Sequence, residues 1–264
     1  MKEKLTYSEI SKIVKEGKAA EVFRLGDCID VAYKDTDGDR YNMPFVVVKF
    51  GSVKLRDGSV VPGMYLQSKY ATVENIAFDE AEPENKLSNG EYSEYIGDYG
   101  YNRWSESGIR AWLNSDAPAG EWFGDTFERN GAVHDRRKED VEPDECKAYN
   151  GFLKGLDPEF IKIVSEVEIA TGCNFITDRG VFDITHDRFF LPSLGEYNDE
   201  FYKDEKDEGK FYALENHSST QYVRLRSAYR GYSCSPWCVS SGGYVSGHGS
   251  AYSALRCTPA CVIA

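Results

Sequence analysis

The last 43 residues of this chain, from Tyr222 to Ala264, restrict its secondary structure more than any other segment. They contain eight Ser and five Gly, which separate short apolar runs. Gly and Ser disfavour helix interiors and favour turns. The segment is therefore expected to form short strands joined by tight turns, beginning with a strand at Val223–Arg226.

The same tail differs from the rest of the chain in charge. It has four Arg and no Asp, Glu or Lys, whereas the whole chain has 31 basic and 44 acidic residues and a net charge of −13. An acidic body argues against a nucleic-acid surface over most of the chain. No apolar run approaches the ~20 residues of a membrane span, and the N-terminus lacks the apolar segment of a secretory signal. We expect neither nucleic-acid binding nor a membrane span.

Local signals predict helices at several places. Thr6 and Glu9 fit a capping box at the start of an N-terminal helix. Ile109, Trp112 and Leu113 have the spacing of a buried helical face, which predicts a helix over 104–114. Capping signals also predict helix starts at Asp157-Pro158 and at Ser193 with Glu196.

Two Asp-Gly pairs predict hairpins. Asp37-Gly38 lies between the apolar runs Cys28–Tyr33 and Phe45–Val48, and Asp57-Gly58 separates two further apolar runs. Asp-Gly readily adopts the positive φ of tight hairpin turns. Further strands are predicted at Val167–Ile169 and at the apolar residues that precede Pro192.

These elements together predict an α+β fold. No Pro- or Gly-rich linker divides the chain, so we expect an N-terminal helix over 1–19 and one domain over 20–264. The polar, acidic segments 72–101, 130–148 and 198–217 are predicted to be long inserted loops.

Four Cys in the tail form two pairs of spacing Cys-x3-Cys, Cys234/Cys238 and Cys257/Cys261. Four thiolates could hold zinc, and a disulfide is an alternative. However, Cys257 and Cys261 lie about 13 Å apart on an extended strand at ~3.3 Å per residue, too far for one metal. Free thiols are the expected state, and no metal or cofactor is predicted.

The tail between Ala228 and Ala254 interleaves four Tyr and one Trp with Ser and Gly. Tyr provides large contact area at low entropic cost and Ser and Gly adapt to a partner, as in antibody binding loops. The irregular spacing of the Tyr residues does not fit the two-residue period of a core strand. A binding surface is therefore favoured over a set of core aromatics.

Seven short motifs follow one another in a fairly specific order along the chain: Phe23–Asp27, Trp104–Asn114, Asp187–Ser193, Val223–Ala228, Trp237–Val239, Gly243–Val245 and Ala254–Ala260. This arrangement resembles that of diversity-generating retroelement variable proteins, which have a C-type-lectin-like fold and occur in phages and gut bacteria. The resemblance covers most of residues 20–264. The sugar-binding Trp-Asn-Asp signature of C-type lectins is absent, so calcium-dependent sugar binding is not expected.

The resemblance implies a variable region over 224–260 whose codons are rewritten at adenines. Rewritten Asn codons can encode Tyr, Ser, Cys, Gly, His, Pro and Arg, but not Lys, Glu, Gln or Met. The tail contains no Lys, Glu, Gln or Met, as this mechanism requires. The mechanism does not explain why the tail also lacks Asp and Asn. The positions expected to be diversified and to bind ligand are Tyr229, Gly231, Tyr232, Cys234, Ser235, Cys238, Ser240, Tyr244, Ser246, Gly247, His248, Gly249, Tyr252 and Ser253.

The function implied is non-enzymatic binding of a protein or other surface ligand, in a phage virion or a bacterial cell. The ligand and the oligomeric state do not follow from the sequence. A rival on the same fold is an enzyme that resembles formylglycine-generating oxidases, for which Cys257 and Cys261 are the only candidate pair. A third hypothesis is a structural module that is held together by a zinc ion.

Overall fold

The computed structural model describes residues 5–79, 100–122, 148–197, 211, 222–247 and 249–264. Most strands in these residues belong to two five-stranded sheets, with short helices between them, so the fold class is α+β as predicted. The helices are α1 (Tyr7–Lys15), α2 (Ala19–Val22), a 3-10 helix (Trp104–Glu106), α3 (Gly108–Leu113), α4 (Phe152–Gly155), α5 (Pro158–Ile161) and α6 (Leu194–Tyr197). The strands are β1 (Cys28–Ile29), β2 (Ala32–Lys34), β3 (Arg40–Asn42), β4 (Phe45–Lys54), β5 (Val60–Ser68), β6 (Ile76–Ala77), β7 (Val167–Gly172), β8 (Phe182–Asp187), β9 (Phe189–Phe190), β10 (Val223–Ala228), β11 (Pro236–Val239), β12 (Val245–Ser246), β13 (Ala254–Cys257) and β14 (Ala260–Ile263).

The C-terminal tail contributes strands to both sheets. The first sheet has the order β1-β4-β5-β14-β9, and the second has the order β12-β11-β10-β13-β6. Between β13 and β14 the chain passes from one sheet to the other, and there the buried Gln67 donates a hydrogen bond from Nε2 to Thr258 Oγ1 at 3.0 Å. Two further hairpins, β2–β3 and β7–β8, lie outside these sheets.

The N-terminal helix is confirmed together with its capping box. Thr6 accepts a hydrogen bond from Glu9 N, and Glu9 accepts one from Thr6 N. The helix ends at Lys15, and Gly17, two residues later, closes the last turn with a φ of +73° that suits glycine. Because Ile10 and Val14 belong to the main hydrophobic core, this helix packs as part of the same core as the rest of the described chain.

The hairpin at Asp57-Gly58 is confirmed, since β4 and β5 pair up to Lys54 and Val60 on either side of it. The turn at Asp37-Gly38 instead closes the short hairpin β2–β3. The predicted strand over 28–33 is divided, because β1 pairs with β4 while β2 pairs with β3. Alternate residues of this segment, Ile29, Val31 and Tyr33, are nevertheless all buried.

The predicted surface loop over 72–101 is wrong for residues 72–79. Ile76–Ala77 form the buried strand β6, and the polar residues around it are buried with partners. Glu74 accepts a hydrogen bond from the Tyr33 hydroxyl at 2.6 Å, and Asp79 accepts one from the Tyr101 amide at 2.9 Å. The acidic composition suggested a loop because these long-range partners are not visible locally. Residues 80–99, and most of the other two predicted loops, lie outside the described residues.

The predicted helix over 104–114 is two helices. Ser107 has an extended backbone (φ −79°, ψ 142°), and its hydroxyl accepts a hydrogen bond from the amide of Arg110, so it begins α3. The apolar face was predicted correctly, since Ile109, Trp112 and Leu113 are fully buried. None of the helices in the described part of the chain is long and apolar enough to cross a membrane.

Candidate functional site

Most of the predicted ligand-binding positions lie in three segments around the second sheet, residues 229–235, 240–247 and 249–253, which we call the tyrosine loops. Cys238 lies in the strand β11, between the first two segments. These segments contact one another. The amide of Ala251 donates to the carbonyl of Cys234 at 2.7 Å, and the Cys238 thiol donates to the carbonyl of Ser246 at 3.2 Å. The sequence therefore located one continuous structural unit.

Three of the tyrosines are exposed to solvent. Tyr244 exposes 77% of its surface, Tyr232 exposes 48% and Tyr252 exposes 44%. Large aromatic side chains are normally buried to a greater extent. These residues provide the contact area that a binding surface would use.

The remaining predicted positions differ in their accessibility. Gly231 is exposed, and Tyr229, Ser240, Ser246, Gly249 and Ser253 are half-buried. In contrast, Cys234, Ser235, Cys238 and Gly247 are buried, so their side chains are not part of the exposed face. His248 lies outside the described residues. Burial could not be foreseen here because it is decided by how the loops pack on one another.

Tyr229 connects the loops through its ring. The ring stacks on Tyr232 with centroids 5.3 Å apart, and it meets Trp237 edge-on at 4.9 Å. A Cβ at Gly247 would lie 2.6 Å from the same ring, so the ring rests on the glycine backbone. The exposed Tyr232 ring thus packs on the Tyr229 ring, which is itself held by Trp237 and the backbone of Gly247.

The loop at 229–235 is held by the side chain of Asn102, which is fully buried. Its Nδ2 donates to the carbonyls of Tyr232 at 2.7 Å and Ser235 at 2.9 Å, with a longer contact to Tyr229 at 3.3 Å. Its own Oδ1 accepts from Asn174 Nδ2 at 3.0 Å. Three carbonyls of one loop therefore converge on a single carboxamide.

A buried polar network fixes Asn174 in turn. Its Nδ2 also donates to Asp178 at 2.8 Å, and Asp178 accepts from the Tyr101 hydroxyl. Arg103 lies 3.4 Å from Asp178 and forms a two-point ion pair with Asp183 at 2.5 and 2.7 Å. Such a satisfied network is rigid because each polar group has a partner.

The loop at 249–253 is held by Arg224, which is also fully buried. Its guanidinium donates to the carbonyls of Gly249 at 2.9 Å, Ser250 at 2.5 Å and Ser253 at 3.0 Å. Burial lowers the pKa of Arg224 to about 10, which still leaves it charged at neutral pH. A cation is thus used to bind backbone oxygens inside the protein.

Arg226 supports the strand that bears these loops. Its Nη1 forms a buried ion pair with Glu196 at 2.6 Å and donates to the Leu191 carbonyl at 2.7 Å. Glu196 also completes the predicted capping box with Ser193. The capping box was predicted from sequence, but the second role of its glutamate was not.

The thiols of the tail do not form the sites that their spacing left open. Cys234, Cys238, Cys257 and Cys261 are free. Among the described residues, no group of three or more His, Cys, Asp or Glu side chains could hold a metal ion.

Cys257 and Cys261 do not fit an activated catalytic pair either. Both are fully buried, and burial raises the pKa of Cys257 to about 12 and raises that of Cys261 well above its usual value. A nucleophilic thiol needs a lowered pKa and access to substrate.

Two parts of this region were missed by the sequence analysis. Asn102 lies 127 to 133 residues from the carbonyls that it binds, so no local pattern could connect them. The segment between β7 and β8 was also not assigned to the site, although the amide of Phe175 donates to the carbonyl of Arg230 at 2.8 Å. The available sequence signal was the pair of adjacent apolar residues Phe175 and Ile176 in a turn segment, which the structure shows to be exposed.

Comparisons with known proteins give one result. A family model described as Domain of unknown function (DUF6273) matches residues 66–264, a span that includes the tyrosine loops, Asn102 and the hairpin β7–β8. No curated protein and no solved structure matches the chain. The match covers well over half of the 264 residues, and the chain therefore belongs to the family of the domain of unknown function DUF6273.

Proposed function

We propose that this protein is a non-enzymatic binding protein that recognises a protein or other macromolecular ligand through the tyrosine loops. The observation that carries the proposal is how the loops are held. Asn102 and Arg224 bind six carbonyls of the loops, and every one of these acceptors is a backbone atom. Exposed side chains can therefore change without loss of the bonds that fix the loops.

This arrangement suits recognition for a second reason. A loop that is rigid before binding loses less conformational entropy when a partner docks. Tyr232 and Tyr244 then offer apolar ring area with a hydroxyl for hydrogen bonding. The backbone-held loops thus combine a fixed shape with replaceable contact groups.

We further propose that the fold is C-type-lectin-like and that residues 224–260 are diversified as in retroelement variable proteins. The support is the motif resemblance, together with the separation between backbone-held loops and exposed side chains. A sequence test is direct: the neighbouring DNA should contain an imperfect repeat of codons 224–260 that differs only at template adenines. A flanking region without such a repeat would contradict diversification but leave the binding function open.

The binding function is tested with two matched libraries of the full chain displayed on yeast. The first varies the accessible positions Tyr232, Ser240, Tyr244, Tyr252 and Ser253. The second varies four buried positions. We expect the first library to be displayed at near wild-type levels and the second to lose most of its display, since buried substitutions leave cavities or clashes. The buried positions are Cys234, Ser235, Cys238 and Gly247.

The displayed first library is then sorted against hen egg-white lysozyme as a fixed protein target. We expect clones with micromolar or better affinity, whose binding is lost when the selected residues revert to Ser. A well-displayed library that gives no binder, or binders that do not depend on these positions, would overturn the proposal.

A further inference from the structure

A second surface lies beside the tyrosine loops, on the hairpin β7–β8. Residues 173–181, which join these strands, are called the hairpin tip. Phe175 exposes 56% of its surface there, and Ile176 and Val181 are exposed as well. Ile184 in β8 is also exposed and, by strand alternation, lies on the same face as Phe182. Exposed apolar side chains that cluster in this way indicate an interaction site.

The cation of Arg230 lies between two rings of this hairpin. The centre of its guanidinium is 5.2 Å from the ring centroid of Phe175 and 5.5 Å from that of Phe182. A Cβ at Gly172 would lie 2.8 Å from Arg230 Nη2, so the guanidinium also packs over the backbone of β7. The planar group is therefore fixed in place before any partner arrives.

In the part of the chain that the structure describes, Arg230 has no acidic partner. Its Nε and Nη2 atoms are buried without a hydrogen-bond partner, and no ion pair to it is found among the described residues. The four carboxylates of the hairpin are paired with other cations: Asp178 and Asp183 with Arg103, Asp187 with Arg110, and Glu168 with Lys54. Because Nε and Nη2 are buried, a partner carboxylate would meet the guanidinium at Nη1, which is not among the buried atoms.

We propose that Arg230, with the hairpin tip, is a fixed anchor site for a protein partner that presents a carboxylate next to apolar side chains. The inference rests on the proposed function, because it names the chemistry of the partner that the tyrosine loops would contact. Arg230 lies next to Tyr229 in the chain, and the carbonyl of Arg230 accepts the amide hydrogen of Phe175. The loop at 229–235 therefore contacts the hairpin tip directly.

The charges on the chain support an acidic protein segment rather than a polyanion. The tail has four Arg and no Asp, Glu or Lys, but Arg224 and Arg226 are buried and bound to internal acceptors. Nucleic acids and anionic membranes require several neighbouring cations. One arginine stacked on Phe175 and Phe182 matches a single carboxylate with apolar neighbours.

The test uses random dodecapeptides displayed on phage and selected on the immobilised full-length protein. We expect the selected peptides to be enriched in Asp or Glu beside apolar residues. Binding of a synthetic selected peptide should weaken at least about tenfold with Arg230→Gln. It should also weaken with Gly172→Ala, which keeps the charge but displaces the guanidinium. Arg188→Gln removes the same charge at the other end of the hairpin and should have no effect.

A change in the peptide makes the test independent of protein folding. Replacing the acidic peptide residue by its amide should weaken binding as much as Arg230→Gln, and the two changes together should weaken it no further. Unchanged binding to both Arg230→Gln and Gly172→Ala would overturn the anchor site.

The outcomes separate this inference from the proposed function. If Tyr232→Ala and Tyr244→Ala abolish peptide binding while Arg230→Gln does not, the tyrosine loops bind but the anchor site is wrong. If only the Arg230 and Gly172 changes matter, the anchor site is confirmed and the tyrosine loops lose their proposed role. A selection without binders, or with binders that no variant affects, contradicts both.

Discussion

The side-chain amide of Asn102 donates a 2.7 Å hydrogen bond to the backbone carbonyl of Tyr232, a residue 130 positions further along the chain. Asn102 is fully buried, whereas about half of the Tyr232 surface is exposed. The interior residue thus fixes the position of the surface residue without contacting its ring. This division between a buried donor and an exposed side chain is the basis of the predictions that follow.

Asn102→Ala is expected to destabilise the protein by about 3 kcal/mol, because it leaves at least two buried carbonyls without their donor and opens a small cavity. Tyr232→Ser, at the other end of the same contact, should change stability by less than about 0.5 kcal/mol, as is typical for exposed positions. Urea unfolding followed by circular dichroism measures both. Equal effects of the two substitutions would contradict the division between support and surface.

Stability should also depend on pH through Glu74. Burial raises the pKa of Glu74 above its usual 4.5, and the hydrogen bond from Tyr33 only partly opposes this. A carboxyl with a raised folded-state pKa binds its proton more tightly when folded. Its contribution to stability is therefore full below pH 4.5 and is lost as the pH rises through the folded-state pKa. Glu74→Gln should stabilise the protein at pH 7 and have little effect at pH 4.

Glu9→Gln is the matched control, because the pKa of Glu9 is shifted in the opposite direction. Hydrogen bonds from the backbone and side chain of Thr6 lower it. Its contribution is therefore present at neutral pH and lost in acid, so Glu9→Gln should reduce stability at pH 7 but not at pH 3. Thermal unfolding across this pH range measures both variants. A Glu74→Gln variant that is no more stable than the wild-type protein at pH 7 would contradict the raised pKa of Glu74.

Features fixed by neighbouring residues could be predicted from the sequence. The capping boxes at Thr6 and Ser193 and the turn at Gly58 are all confirmed, because each partner lies within a few residues. The apolar spacing that placed Trp112 inside the core is equally local.

Features that depend on distant pairing could not be predicted. Glu74 was assigned to a surface loop because its partner, Tyr33, is 41 residues away. Of the predicted ligand-binding positions, Tyr244 is exposed while Cys238 is buried, although both lie in the same Ser- and Gly-rich segment of the sequence. The amino-acid composition predicted where the loops lie in the sequence. The pairing of β11 with β12 decides which of their side chains are buried and which are exposed.

The thiols should differ strongly in their reactivity. Cys28 is exposed, whereas Cys257 and Cys261 are fully buried, and burial raises the pKa of both buried thiols. Iodoacetamide at pH 8 should therefore modify Cys28 much faster than either buried thiol, since the thiolate is the reactive form. Peptide mapping by mass spectrometry after short reaction times measures the order. Rapid alkylation of Cys257 or Cys261 in the folded protein would restore the oxidase alternative.

Gly247 and Gly231 should respond differently to the same substitution, although the sequence predicts both as diversified positions. A Cβ at Gly247 would lie 2.6 Å from the Tyr229 ring, while a Cβ at Gly231 would lie at an ordinary 3.5 Å from that ring. Gly247→Ala must displace a ring that also packs on Trp237, so a loss of about 1–3 kcal/mol is expected.

Gly231→Ala should change stability by less than about 0.5 kcal/mol, because the position is exposed and the added methyl group fits. Chemical unfolding of the two variants makes the comparison. The intrinsic tryptophan fluorescence, to which Trp237 contributes, should change in Gly247→Ala alone. If Gly247→Ala were as stable as Gly231→Ala, the Tyr229 ring would be free to move. The loops would then lack the fixed shape on which the proposed recognition depends.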